Sequence, residues 1–219
     1  MSQTLHRIGR RKGWFPLVLF PLIMAACAFP GPSQNQVLHT YLLNPEAAST
    51  ESPAVNGKGM AVLEVNLPRA RAGFDTERMV YLRRPQEIGY YAASEWVDPP
   101  ARMLAPLLVQ AFERTSAWRS VVQMPSAIRG DYRINSENLA IGQEFFQHPS
   151  RVRVTLRIQL VDLRQRQILG VKEFEVLEEA PSDDADGGVV AANRAVARLL
   201  NEGARWLIGC MQKKPQGDC

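Results

Sequence analysis

The sequence predicts a single domain of the α/β (α+β) class, with a mixed, mostly antiparallel sheet and two main helices. Three observations carry this reading. Residues 151–160, Arg-Val-Arg-Val-Thr-Leu-Arg-Ile-Gln-Leu, alternate polar and apolar without a break, the period of a strand with one buried face. Asp98-Pro99-Pro100 opens a stretch in which Met103, Leu104, Leu107, Leu108, Ala111 and Phe112 recur at helical spacing. Residues 188–210 repeat that spacing in a longer run, with Val189, Ala192, Val196, Leu199, Leu200, Gly203, Trp206, Leu207 and Cys210 on one stripe.

The start of the chain stands apart from that domain. Arg7, Arg10, Arg11 and Lys12 form a basic patch, and an apolar run follows from Trp14 to Ala26. Basic, then apolar, then small is the layout of a secretory signal. A membrane-spanning helix needs roughly twenty apolar residues, and this run of thirteen also contains Pro16 and Pro21. We therefore expect a signal peptide over residues 1–26. The competing readings are an ordinary signal followed by a chance cysteine, and an uncut N-terminal anchor. Met24-Ala25-Ala26-Cys27 resembles the lipobox of bacterial lipoproteins, with Met24 where leucine is usual. The resemblance implies cleavage before Cys27 and lipid on its sulfur. With Ala28 at the second mature position, where an aspartate retains enteric lipoproteins in the inner membrane, it implies the outer membrane. Several acyl chains, each contributing about 0.8 kcal/mol per buried CH2, would make that attachment stable.

Residues 27–37 read as a lipid-anchored tether, since Pro, Gly and small polar side chains bury too little surface to order themselves. The folded domain is expected over residues 38–210, with a polar, frayed tail at 211–219. Within the domain, 39–44 and 58–67 read as strands, separated by a loop at 45–57. Two short strands, 78–84 and 87–92, flank Pro85. Asp98 is expected to cap the first helix, with proline in its first turn and a kink at Pro106. Strands at 118–124 and 131–146 follow. In the 151–160 strand Val152, Val154, Leu156, Ile158 and Leu160 face a core, while Arg151, Arg153, Thr155 and Arg157 face out. Its partner at 168–177 places Phe174 and Val176 with the core set and Glu173 and Glu175 opposite the arginines. The arginine face is either solvated and partly paired, or a contact for anionic lipid. Asp183, Asp184 and Asp186 precede the long helix, where negative charge is favoured.

The chain has 26 Lys+Arg and 22 Asp+Glu, but four of the basic residues lie in the signal. The mature chain is therefore neutral, and its high pI is no nucleic-acid footprint. No phosphate-binding glycine loop or nucleophile elbow occurs. Of the two histidines outside the signal, His39 and His148, neither has a second ligand or base at local spacing. We expect no catalytic residue, metal or cofactor. Cys210 and Cys219 either close a small loop by a disulfide in an oxidising compartment, or Cys210 stays a buried thiol on its helix stripe.

Tyr81, Tyr90, Tyr91 and Trp96 fall within one segment from Met79 to Trp96. They are either core or a partner-docking surface. Tyr90 and Tyr91 are adjacent, so on a strand they face opposite ways, and two helices are not expected to cover both faces. One of the two tyrosines should then be exposed.

Several of these stretches together resemble one family. They are Tyr41-Leu42-Leu43-Asn44-Pro45, the run from Met79 to Ile88, the run from Trp96 to Leu108, the strand opening Asp131-Tyr132-Arg133, the 151–177 hairpin and the closing helix. They are similar to the ABC-type transport auxiliary lipoproteins, which include the lipoprotein subunits of MCE-type lipid transport systems. The resemblance implies a non-catalytic α/β domain with nucleotide hydrolysis in a separate ATPase subunit. It also implies attachment to the outer membrane and, as partner, a periplasmic MCE-domain protein with its ABC permease and ATPase. Lipids or other hydrophobic molecules would pass through that assembly. A periplasmic lipid-binding carrier is the competing function.

Overall fold

In a computed structural model of the chain, residues 37–45, 54–55, 59–213 and 219 are described. The signal peptide, Cys27, most of the tether, part of the 45–57 loop and residues 214–218 lie outside them. Eight strands and two helices follow in the order β1 (His39–Tyr41), β2 (Val62–Val65), β3 (Arg78–Arg84), β4 (Glu87–Trp96), α1 (Pro100–Arg114), β5 (Ser120–Gln123), β6 (Tyr132–Glu144), β7 (Arg151–Asp162), β8 (Gln167–Glu179) and α2 (Ala185–Lys213). The strands form one mixed sheet, as expected. Its three antiparallel pairings, β3–β4, β6–β7 and β7–β8, are long. Its four parallel pairings span three or four residues each.

β6 organises the sheet. One edge carries β7 along nearly its whole length. The other edge is shared: Tyr132–Ile134 pair with β2, and Gly142–Glu144 pair with β3. Between them the chain after β2 stays extended, and the amides of Asn66, Arg69 and Arg71 donate to carbonyls of Ile134, Ser136 and Leu139. Beyond β2 lies β5, and beyond β3 lie β4 and then β1.

Alternation in β7 works as the pattern requires. Val152, Val154, Leu156, Ile158 and Leu160 are fully buried, each worth about 1.5–3 kcal/mol relative to exposure. They pair with β8 in the register Val154↔Val176 and Leu156↔Phe174. Both helices pack over this face. Ala191, Ala192, Ala195 and Ala204 of α2 are buried beside the larger Val196, Leu199 and Leu207, and small side chains let the helix lie close to the sheet.

The other face is largely polar and internally paired, apart from a small apolar cluster around Phe74, Val80 and Ala140. Glu64, 3 % exposed, accepts from the Gly130 amide and from Arg133, both at 2.7 Å. Asn66, Asn135 and Gln159 bond side chain to side chain across three strands. Arg69 and Arg157 both reach Glu137. Arg153 bridges Glu144 of β6 and Glu175 of β8.

Three expectations are corrected. Asp98 does not cap α1. Pro99 holds the cap position without a side-chain bond, its carbonyl takes the Arg102 amide, and the Asp98 carboxylate pairs with the Arg102 guanidinium at 3.3 Å. The second proline of the Pro-Pro step starts the helix one residue too late for Asp98 to reach the free amides. The arginine face is less exposed than expected, because Arg153 holds a carboxylate, Glu144, that is itself only 7 % exposed. Finally, the tail is not frayed throughout. α2 runs on to Lys213, Cys219 is disulfide-bonded to Cys210, and the Cys219 amide donates to the Leu169 carbonyl at 3.0 Å on β8.

Candidate functional site

The segment from Met79 to Trp96 becomes the β3–β4 hairpin, and its aromatic side chains divide between the two faces, with a register shift after Tyr90 that turns Trp96 to the same side as Tyr91. Met79, Tyr91 and Trp96 point to the helix side, whereas Val80, Leu82 and Tyr90 join Phe74 and Ala140 in a small apolar cluster on the open face. Trp96 is 3 % exposed. It belongs to the core, and its place among the docking residues is withdrawn. Nor is either tyrosine of the Tyr90–Tyr91 pair left exposed; both are half-buried. The turn at residues 70–75 supplies the cover that two helices could not. The Tyr90 hydroxyl donates to the Gly73 carbonyl at 3.1 Å, and the Arg78 guanidinium lies 3.9 Å from its ring centroid.

On the helix side, Tyr81, Tyr91 and Phe145 wall a cleft of about 270 Å³ that also reaches Arg83, Ala92 and Asp183. Tyr81 meets Tyr91 edge to face with centroids 5.1 Å apart, and Phe145 at 6.2 Å. Its ring lies across Gly89, where any Cβ would collide with it. Arg83 sits over the same ring at 5.4 Å.

A chain of hydrogen bonds holds the floor of the cleft. The Tyr91 hydroxyl donates to Gln143 Oε1 at 2.8 Å. Gln143 Nε2 donates to Ser150 Oγ at 2.9 Å. The Ser150 amide donates to Asp183 Oδ1, and His148 Nδ1 meets Asp183 Oδ2, both at 2.7 Å. Burial, reinforced by the charge of Asp184, pushes the Tyr91 phenol well above its ordinary range, so it stays a neutral donor. Bonds from Ser150, then from His148, lower the Asp183 carboxyl to about 2. Asp184 caps α2 by accepting the Gly187 amide at 2.8 Å, and its carboxyl is lowered by the Ser182 hydroxyl and by that amide. A side chain at Gly188 would strike Gln143, so α2 approaches this close only through glycine.

These contacts clasp β4, the β6–β7 turn and the start of α2. Ser150 is fully buried with its hydroxyl on Gln143, so it is not poised on His148 as a nucleophile. Among the described residues no three of His, Cys, Asp and Glu stand together to hold a metal ion. Sequence reasoning missed His148, Asp183 and Gln143 as partners. They are brought together from positions up to 40 residues apart, and no local spacing signals the pairing. The strand after the tether joins the same structure: β1 pairs with β4 at Ser94–Trp96, the Tyr41 hydroxyl donates to Asp186 at 2.8 Å, and the Asn44 amide donates to Asn193 at 2.6 Å.

A family model for the ABC-type transport auxiliary lipoprotein component matches residues 41–204, from the end of β1 well into α2. The chain belongs to this family. As an auxiliary lipoprotein it is associated with ABC transport, and no helix among its described residues is long and apolar enough to cross a membrane. Protein XCC0632 from Xanthomonas campestris resembles this auxiliary lipoprotein with a TM-score of 0.71 at 21% identity, covering 81% of this chain and 98% of its own. The crystal structure of an uncharacterized protein does so with a TM-score of 0.56 at 16% identity, covering 78% and 99%. At these identities the likeness is one of fold. No curated protein matches the auxiliary lipoprotein in sequence.

Proposed function

We propose that this protein is a non-catalytic outer-membrane lipoprotein, anchored through Cys27, that docks the periplasmic MCE-domain protein of an ABC transport system. That system would move lipids or other hydrophobic molecules between the membranes. One observation supports docking beyond family membership. β1, the first described element, is fastened to β4, whose Tyr91 and Ala92 line the aromatic cleft, and to α2, which starts two residues after the cleft residue Asp183. An anchor acting through β1 would therefore pull on the strand that carries the cleft. The carrier alternative finds less support. The hollow of about 730 Å³ on the open face has Leu67, Met124 and Pro125 in its wall, but it is also lined by Asn66, Arg69, Asn135, Glu137 and Gln159, groups that would lose hydration to an acyl chain.

The test is to purify the acylated protein from outer membranes and mix it with the MCE-domain protein encoded beside its ABC permease and ATPase. Docking predicts a defined protein complex with no stoichiometric lipid in the auxiliary subunit alone. Stoichiometric bound lipid without any complex would overturn docking in favour of the carrier.

A further inference from the structure

We propose that the open edge of β4, from Ile88 to Ala93, receives an extended apolar segment of the transport partner as an added strand. One side chain of that segment would seat in the Tyr81–Tyr91–Phe145 cleft. This inference rests on the docking function proposed above and specifies how docking is made.

An unpaired strand edge presents a row of amide and carbonyl groups that will pair with any extended chain, and proteins blunt such edges with charge, shortness or cover. This sheet does so elsewhere. β8 is long, but it carries Lys172, Glu173, Glu175, Glu178 and Glu179, and the Cys219 amide covers its Leu169 carbonyl. β5 has only four residues. β4 is treated differently. β3 pairs with one side of it at Glu87–Tyr90 and again at Glu95, with a bulge between, while β1 covers the other side only at Ser94, Glu95 and Trp96. Among the described residues nothing pairs with the outer side of Ile88–Ala93, and that stretch has no charged side chain. It is the unguarded edge of a sheet whose other long edge is guarded.

β1 shows that this edge accepts a strand, in parallel and in the register His39↔Ser94. Continued toward the N-terminus, the same lane would run beside Ile88–Ala93. The chain's own tether is a poor occupant. Its pairing with β4 begins only at His39, and Val37 and Leu38 before it are in no strand. In the parity of His39 and Tyr41, which share a face, the tether would also set Ser33 and Asn35 on the side of the aromatic cleft. Three aromatic rings around about 270 Å³ suit a large apolar side chain instead. Strand addition would then draw affinity from main-chain bonds and selectivity from the alternate side chain that enters the cleft.

The experiment uses the full acylated chain in detergent, with the purified periplasmic MCE-domain protein of the same transport system as probe. Backbone hydrogen exchange and affinity are measured for the wild type, for Ala92→Lys, and for Val171→Lys on the β8 edge as a control. Ala92 and Val171 are both exposed, so neither change should lower the melting temperature. The expected result is slowed exchange at residues 88–93 on adding the probe, and binding at least about tenfold weaker for Ala92→Lys, with Val171→Lys unchanged. If the probe binds without protecting residues 88–93, or Ala92→Lys binds like the wild type, the edge is not the site, although the docking function stands. If the probe does not bind the wild type at all, docking itself fails and this inference with it. Protection without probe of those amides in 88–93 that face away from β3 also overturns it: a second copy takes the edge if protection grows with protein concentration, and the tether takes it if deleting residues 28–36 removes the protection.

Discussion

Arg153 shows how a single side chain on an apparently solvated face can matter. By alternation alone it is an outward arginine, and exposed ion pairs contribute little, typically under about 1 kcal/mol. Its partner changes that estimate. Glu144 is 7 % exposed and receives Arg153 Nε at 2.6 Å, so removing the guanidinium strands a buried carboxylate. Arg153→Ala is expected to cost about 2–3 kcal/mol in urea unfolding at neutral pH. Adding Glu144→Gln should recover part of the loss, because the amide tolerates burial better than an unpaired charge. A loss no larger than that of Arg84→Ala, whose pair with Glu87 is 3.8 Å long and exposed on both sides, would refute this. For comparison, Val154→Asp, one residue along and fully buried, should prevent folding.

Among elements, β6 is the strand on which the topology turns, and it contains a bulge. Glu137 pairs with Arg157 and Ala140 with Thr155, so Asn138 and Leu139 together oppose Leu156. The extra residue reverses parity. Tyr132 and Ile134 face the helices before it, and Leu139 and Ile141 do so after it. The strand can therefore bury one face along its whole length while curving from its β2 contact to its β3 contact. Asn138 makes this possible by adopting φ of 57°, which Asn and Gly tolerate and β-branched residues do not. Asn138→Val is expected to destabilise the domain by about 1–2 kcal/mol, whereas Asn138→Gly should stay within about 1 kcal/mol of the wild type. Equal shifts of the urea midpoint for the two would mean that the bulge does not depend on that conformation.

For the whole molecule the central question is how the domain is held. β1 has three residues, yet it is bonded to β4 on one side and to α2 through Tyr41 and Asn44. These contacts join the first described strand to the body of the fold. Cys27→Ser is expected to abolish acylation and leave the protein uncut or released from the outer membrane, while the domain melts as before. Labelled fatty acid and membrane fractionation measure the first outcome, and thermal unfolding of the soluble domain measures the second. A Cys27→Ser protein that still carries label and still fractionates with the outer membrane would end the anchor reading.

Much of this protein was legible before any contact was known. Strict alternation marked β7, because a strand with one wet and one dry face must write that period into its residues, and any even-sum pairing then put Phe174 and Val176 of β8 with its core set. The stripes of α1 and α2 were legible for the same reason, as was the family, through the runs at 79–88 and 96–108. What a side chain rests against was not legible. Periodicity says which face of an element is apolar, but it is silent on the element or turn that covers it. The cover over Tyr90 comes from residues 70–75, the burial of Glu144 comes from β7, and His148 meets Asp183 across 35 residues. The parity change in β6 was hidden because one bulged residue makes a buried strand look irregular. Joining such distant groups costs loop entropy that only the packing of the complete sheet can offset, so tertiary structure alone decided the clasp, the cleft and the unguarded edge of β4.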